Sequence, residues 1–447
     1  VDELIKQKLA EQDISSEIIR DILKVHSDEM NRMKGMYRRY KQKDLAIQER
    51  SFPDPTKLNN KMPNDYRGDI VVQVNGYLFG QPLSYQIEGN EQAQEIFRDF
   101  RLRNHLEDLD AETGKMMSVC GRAARLCYIH DGEEWVMNVP PWETIFIYDA
   151  SIDQAQYAMR AYPVVVKEGD TKVERWRVEW YDSEYVTFFI EDRRGEFVLD
   201  PSKEDNPLPH LFDFVPLMEF VNNEEALGDF EKVEDLIDAY DRLVSDVQNE
   251  IEEFRLAYLL FVGGAPDADE IKKFRQTGAV EVPEDGDVRF LTKDIIDTVI
   301  ENHKRTLNDN IYKFSGTVDM SSEAFSGTSA SGESRKWRML ALENKCSVKE
   351  RKFSKALRRM FEVIASAWQK KGYAIDHTEV SWDFKRNVPL ELRMEAEFLQ
   401  LTAGHVSDKT RFGQVSFVED PEEELNRMQE QREAYNVTLE EDDDDEG

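Results

Sequence analysis

Apolar residues recur at three- and four-residue steps from Ile14 to Tyr40 (Ile14, Ile18, Ile22, Met30, Met33, Tyr37, Tyr40), the spacing of one buried helix face. The end of that segment carries Arg32, Lys34, Arg38, Arg39, Lys41 and Lys43, which suit a solvated helix face or a phosphate or partner contact. A loop punctuated by Pro53, Pro55 and Pro63 follows. The apolar run from Asp69 to Phe79, stopped by Gly80 and Pro82, fits helix or strand equally well. From Gly121 to Leu199 the pattern shortens to β-branched and aromatic stretches, among them 144–148, 162–166 and 185–190, separated by turn residues. That is the signature of an antiparallel β region.

At Leu227 the period lengthens again. Phe230, Val233, Ile237, Tyr240, Val244, Val247, Ile251 and Phe254 follow one another at alternating steps of three and four, a seam suited to packing along a neighbouring helix or subunit. Between them lie Asp229, Glu231, Glu234, Asp235, Asp238, Asp241, Asp246, Glu250, Glu252 and Glu253, which predict a solvated or pore-facing acidic surface. A small α/β insertion comes next, with an apolar stretch 257–262, a helical patch 267–276 and short strands near 279–282 and 287–291. It is too small to fold alone. A second helix, from about Asp294 to Phe314, closes a hairpin around it.

Ser321 to Gly332 is a low-complexity loop of small residues with one apolar tip, Phe325. It leads into 39 residues, Glu333 to Lys371, without Pro or Gly. An unbroken helix of that length spans roughly 58 Å. Twelve of its residues are basic and four acidic. Shorter helices are expected from Val388 to Tyr435, and Glu440 to Glu446 as a disordered, solubilising acidic tail.

That basic helix stands out because the 447-residue chain is strongly acidic: 58 Lys and Arg against 91 Asp and Glu give −33 at neutral pH. Such a charge disfavours a protein that coats nucleic acid through counterion release. Three cysteines without C-x-x-C spacing indicate neither a disulfide framework nor a zinc site and suit a reducing cytoplasm. The segment Val1–Lys6 has no signal-peptide character, and no stretch approaches the roughly 18 apolar residues of a membrane span. The sequon at Asn436 therefore reads as chance. No phosphate loop, dinucleotide fingerprint, H-E-x-x-H or nucleophile elbow occurs, and the seven histidines are dispersed. No catalytic site, metal site or cofactor is expected. Carboxylates are too abundant for any chosen pair to mark a two-metal site.

The order of these parts resembles the portal proteins, or head-to-tail connectors, of tailed bacteriophages of the long-tailed siphophage type. Four passages carry the resemblance: Lys57-Leu58-Asn59-Asn60-Lys61 with 77–82; Gly228-Asp229-Phe230-Glu231 through Leu236–Asp241 and Ser245-Asp246; the Ser/Gly loop entering a long basic helix; and Val406–Thr410 with Glu419–Glu422. None is a catalytic signature, and their force lies in their order along nearly the whole chain.

The resemblance implies an α+β subunit of a twelve-membered ring at one capsid vertex, a channel for DNA packaging and ejection and not an enzyme. It implies a wing over 1–226, a first stem helix over 227–256, a clip over 257–293, a second stem helix over 294–316, a tunnel loop over 317–332, a long tunnel helix over 333–372, and a crown with the acidic tail over 373–447. Tunnel-loop residues Ser321, Ser322, Glu323, Phe325, Ser326, Thr328 and Ser329 would lie nearest DNA. Arg335, Lys336 and Arg338 would contact DNA or, the favoured reading, donate salt bridges between subunits. The seam Phe230 to Phe254 would pack between subunits, and clip residues Asp267, Glu270, Lys272, Lys273, Arg275, Glu281 and Arg289 would meet the packaging motor and later the tail adaptor. Implied partners are further copies of the chain, double-stranded DNA, the terminase large subunit, a head-completion adaptor, and the major capsid and scaffolding proteins, with no membrane. The place is the virion, after assembly in the host cytoplasm. A metal-dependent DNA-processing enzyme and a monomeric acidic adaptor or DNA mimic are the competing readings; the second explains the charge but neither the long seam nor the basic helix.

Overall fold

The computed structural model describes residues 3–11, 13–55, 57–148, 155–168, 171–254, 258–262, 286–291, 297–320, 339–387, 392–415 and 424–431, with isolated positions 267, 269, 272, 277, 418 and 421. The chain is α+β and separates into two compact units. The first holds residues 1–36, 71–229 and 340–447, the second 37–70 and 230–339.

The first unit is built around the predicted antiparallel β region. Strands β4 (Thr144–Tyr148), β5 (Ala155–Glu168), β6 (Thr171–Tyr181), β7 (Tyr185–Glu191) and β8 (Phe197–Leu199) pair in sequence order, with the short β9 (Leu208–Pro209) also on β7. Alternate side chains of a strand point to opposite faces, and here both faces are covered. Ile145, Ile147, Met159, Ala161, Val178 and Trp180 pack against Ile5 of α1 (Glu3–Glu11) and Ile18, Ile19 and Ile22 of α2 (Ser16–Tyr40). Phe146, Ala158, Tyr181 and Phe188 face a second sheet in which β2 (Arg122–His130) lies between β10 (Leu217–Val221) and β3 (Glu133–Val139). Entry into β2 needs a glycine: Gly121 ends a helix at φ +77, and a Cβ there would stand 1.9 Å from the Ala226 carbonyl oxygen.

Helices α5 (Glu91–Asn104) and α6 (Leu106–Cys120) and the long basic helix, here Leu340–Lys370, complete this unit. The C-terminal half of the long helix is covered nearly all round. Phe353, Leu357, Met360, Phe361, Val363, Ile364 and Trp368 are buried, and Trp368 meets the Phe100 ring edge-on at 5.4 Å. The segment read as the crown begins inside this unit, because β13 (Val380–Asp383) pairs antiparallel with β1 (Ser84–Ile87). Helices over Leu392–Leu401 and Asp408–Gly413 follow. The acidic tail and the sequon lie outside the described residues.

The ambiguous run resolves as helix α4 (Tyr66–Phe79). Asp65 supplies the start signal by accepting the Gly68 amide at 2.9 Å, and the Gly80–Pro82 stretch ends the helix. In the second unit the seam helix, α7, runs Glu234–Phe254 after a single 3₁₀ turn, so residues 227–230 of the expected helix are not helical. Strands β11 (Tyr258–Val262) and β12 (Asp287–Leu291) pair antiparallel from Tyr258 opposite Leu291 to Val262 opposite Asp287. They lie between α7 and α8 (Asp297–Ser315), which pack on one another. The expected short strand near 279–282 lies outside the described residues.

Candidate functional site

The second unit turns on how α7 is held. Four residues of helix rise about 6 Å and two residues of extended chain about 6.6 Å, so every fourth helix position can meet every second residue of a strap beside it. Asp241, Ser245 and Asn249 form such a row, and all three are buried. Asp241 accepts the amide of Asn64 at 2.8 Å, the Ser245 hydroxyl accepts that of Met62 at 3.0 Å, and the Asn249 side-chain oxygen accepts that of Asn60 at 2.8 Å. Pro63, between two of these donors, holds Met62 away from helical backbone. Arg50 fastens the far end, reaching Asp246 on α7 and the Asn60 carbonyl, each at 2.7 Å.

Arg67, fully buried, fastens the near end. Its guanidinium reaches Glu234 at 2.7 and 3.0 Å and Asp238 at 2.7 Å, with Asp241 3.9 Å away. Burial opposes the charge on Arg67, but the Glu234 and Asp238 carboxylates outweigh it and raise the pKa. Burial pushes the Asp241 carboxyl upward, against the hydrogen bonds from Asn64. The acidic face of α7 is therefore not uniformly solvated, which corrects the sequence expectation: Glu234 and Asp241 are inside, while Asp235 and Asp246 are exposed. A carboxylate can stand inside here because a buried arginine or a row of amides compensates it.

A second buried charge sits in the first unit. Asp229 donates its amide to the Ser118 carbonyl at 2.7 Å, accepts Asn222 at 3.0 Å, and faces Lys345 at 3.0 Å and Lys349 at 3.6 Å, both on the long helix. Burial would raise its pKa, but the two ammonium groups hold it at about 2. Lys349, itself buried, donates to the Gly114 carbonyl at 2.8 Å, and burial lowers its pKa. A fixed charge of this kind pins the long helix to α6.

The seam splits in two. Phe230, Val233, Ile237 and Tyr240 are already buried within the single chain. Val244 and Val247 are half-buried and Ile251 is 46% exposed; the Phe254 side chain lies outside the described residues. Of the clip residues, Asp267 and Lys272 are exposed, and Arg289 stands opposite Leu260 in the β11–β12 ladder. Glu270, Lys273, Arg275 and Glu281 lie outside the described residues, as do Ser321, Ser322, Glu323, Phe325, Ser326, Thr328 and Ser329 of the loop and Arg335, Lys336 and Arg338. In the basic run ending α2, Arg38 pairs with Asp44 and Arg39 lies 3.8 Å from Glu234. The cysteines, Cys120, Cys127 and Cys346, are free and buried. Among the described residues no cluster of His, Cys, Asp and Glu could hold a metal ion, and no helix is long and apolar enough to cross a membrane.

Sequence reasoning singled out Asn60, Asp229, Asp241 and Ser245 but missed their buried contacts, and it missed the roles of Arg67, Asn249 and Lys349. A signal existed in the four-residue spacing of Asp241, Ser245 and Asn249 along a helix whose other face carries the seam.

A family model described as "Phage portal protein, SPP1 Gp6-like" matches residues 19–438, which include the long basic helix, α7, α8, the strap and the buried Asp229. The chain belongs to this family of phage portal proteins. It is 28% identical over 412 residues to the portal protein of Bacillus phage SPP1, covering 86% of this chain and 78% of that one. It is 25% identical over 407 residues to the portal protein of Clostridium phage phiCD119, covering 85% and 87%. Its function is that of a phage portal, as the order of helix pair, loop and long basic helix implied.

Proposed function

We propose that twelve copies of this chain form a ring at one capsid vertex through which double-stranded DNA enters during packaging and leaves at ejection. The stem would be α7 and α8, the clip the β11–β12 region, and the tunnel loop the segment 317–332. The observation that carries this reading is the unequal covering of the α7–α8 pair. Half the apolar seam is buried within the chain, while Ile251 at 46%, Val299 at 61% and Phe314 at 56% exposure remain for a partner. Apolar side chains left on long packed helices fit a heterologous contact that closes on itself.

A net charge of −33 suits passage, because an acidic wall repels phosphates and leaves DNA free to slide, with Arg335, Lys336 and Arg338 bridging subunits. The chain itself would catalyse nothing, the terminase motor supplying the work at the clip and the head-completion adaptor replacing it there afterwards. Capsid and scaffolding proteins would meet the wing, and the ring would assemble in the host cytoplasm and remain in the virion. Native mass spectrometry tests the ring: a species near 626 kDa, twelve times 52.2 kDa, or of an adjacent ring number, is expected. A 52.2 kDa species alone, at high concentration and with capsid components present, would overturn it.

A further inference from the structure

The six-stranded sheet of the first unit carries an arm that the subunit leaves bare. Strand β4 pairs with β5 only as far as Arg160, and β7 pairs with β6 only as far as Arg177. Beyond them β5 and β6 continue alone, from Pro163 opposite Trp176 to Glu168 opposite Thr171. Six residue pairs make a two-stranded ribbon roughly 20 Å long, and such a ribbon is marginal in water by itself. One of its faces continues the sheet face that α1 and α2 cover through Met159, Ala161, Val178 and Trp180. Here that face emerges uncovered: Pro163 and Trp176 are exposed, and Val165 is 66% exposed. Lys167 stands opposite Lys172 on the same face, both exposed and, among the described residues, bound to no carboxylate. Like charges directly opposite one another disfavour the ladder unless an anion lies against them. Glu174, the one described acid of this face, leaves it net positive.

The opposite end of the same strands is apolar and acidic. Past the last β6–β7 pair, Tyr181 with Val186, the chain turns, and β9 pairs Pro209 with Tyr185. Tyr185, Leu208 and Leu211 are exposed around that end. Leu211 is held outward against its backbone preference: its φ is +69, a region that a bulky side chain rarely adopts. Its neighbours fix it there, Phe212 by burial and His210 by contact with the Asp182 carbonyl at 3.1 Å, while Lys370 donates to the Leu211 carbonyl at 3.1 Å. Glu184 in the β6–β7 connection and Glu204 and Asp205 in the β8–β9 connection are exposed and, among the described residues, bound to no cation. Lys203 beside them lies over the Phe188 ring. The arm leaves one end of β6 and this surface lies at the other, so copies that join arm to surface are related head to tail, the kind of contact that closes into a ring. We infer that the β5–β6 arm of one subunit docks on the Leu208–Leu211 surface of the next, with Lys167 and Lys172 meeting Glu184, Glu204 and Asp205. The contact rests on the ring proposed above and adds to it an interface in the first unit, separate from the α7–α8 flank.

Cysteines in place of Val165 and Leu211 test the contact, since the native Cys120, Cys127 and Cys346 are buried. In rings verified by native mass spectrometry, a short bismaleimide should link chains bearing both V165C and L211C into a ladder of covalent oligomers. Its yield should be about tenfold above that of either single variant, because docking holds the two sites at high effective concentration. L211G gives an independent readout. Glycine suits a positive φ, so the subunit should melt no lower than the native one, while the concentration at which rings dissociate should rise about tenfold through loss of the apolar contact. Rings without the ladder would overturn this inference and leave the ring standing. Covalent dimers of V165C alone, which put arm against arm, would do the same, as would L211G rings as firm as native ones. A 52.2 kDa species alone, with capsid components present, would overturn the ring and this contact with it.

Discussion

The long basic helix and α7 are held in opposite ways. The long basic helix of the first unit is gripped by carbon: over its second half Phe353, Leu357, Phe361, Val363, Ile364 and Trp368 are buried around most of the circumference. Helix α7 of the second unit has apolar cover only at its start and is fastened along its length by hydrogen bonds and charge, from Arg67 through Asp241, Ser245 and Asn249 to Arg50. A helix buried in apolar contacts keeps its apolar face for its own unit, and what it shows outside is charge, here Arg351 and Arg358. One strapped by polar bonds keeps an apolar flank, here Val244, Val247 and Ile251, that a second copy can cover. The positions a neighbour could use are thus those the strap leaves alone.

This contrast breaks most sharply where each grip is concentrated. Arg67→Ala strands Glu234, Asp238 and Asp241 without their cation and should cost about 3–5 kcal/mol, as removing one partner of a buried ion pair does. Trp368→Ala should cost a similar amount in the first unit through cavity formation. Chemical denaturation reads both, and a loss below about 1 kcal/mol at either site would show that the grip lies elsewhere.

Acid should act next. Asp229 has its pKa depressed to about 2 by Lys345 and Lys349, so its contribution is fully present above the ordinary carboxylate range near 3.8 and is lost as pH falls through about 2. The difference corresponds to about 2 kcal/mol. Stability measured between pH 5 and 2 should therefore fall more steeply in the native sequence than in D229N. Equal slopes would remove Asp229 from the account.

Ser245→Ala deletes one link of the strap and should cost about 1 kcal/mol, with faster amide exchange at Met62 as its local signature. Unchanged exchange there would mean the strap does not depend on the row. The smallest effect on the isolated subunit is expected from Ile251→Asp, within about 0.5 kcal/mol, because the side chain is already half in solvent.

The sequence was readable where a period maps directly onto burial. The alternation in 144–148 put Ile145 and Ile147 on one face of the sheet and Phe146 on the other, and the steps of Ile18 and Ile22 put them on the buried face of α2. The long basic helix was readable from the absence of helix breakers. What was not readable depends on chain distant in sequence. The apolar steps of α7 say that one face is covered but not by what, so Phe230 to Tyr240 read like positions facing another subunit. Acidic residues at four-residue spacing read as solvated, since only the strap, some 180 residues earlier, shows that Asp241 is a buried acceptor. Asp229 also read as one more solvated acid, and its physical role emerges with Lys345 and Lys349 beside it. Likewise α4 stayed ambiguous because its apolar run lacks a single polar face, and the capping contact of Asp65 decides it.

The most direct measurement is native mass spectrometry of the unaltered chain beside Ile251→Asp, with thermal unfolding of both. The account predicts a ring near 626 kDa for the first and 52.2 kDa subunits of unchanged melting temperature for the second. An intact ring carrying Asp at position 251 would contradict it, since the flank that the strap leaves exposed would then not be the surface on which neighbouring subunits meet.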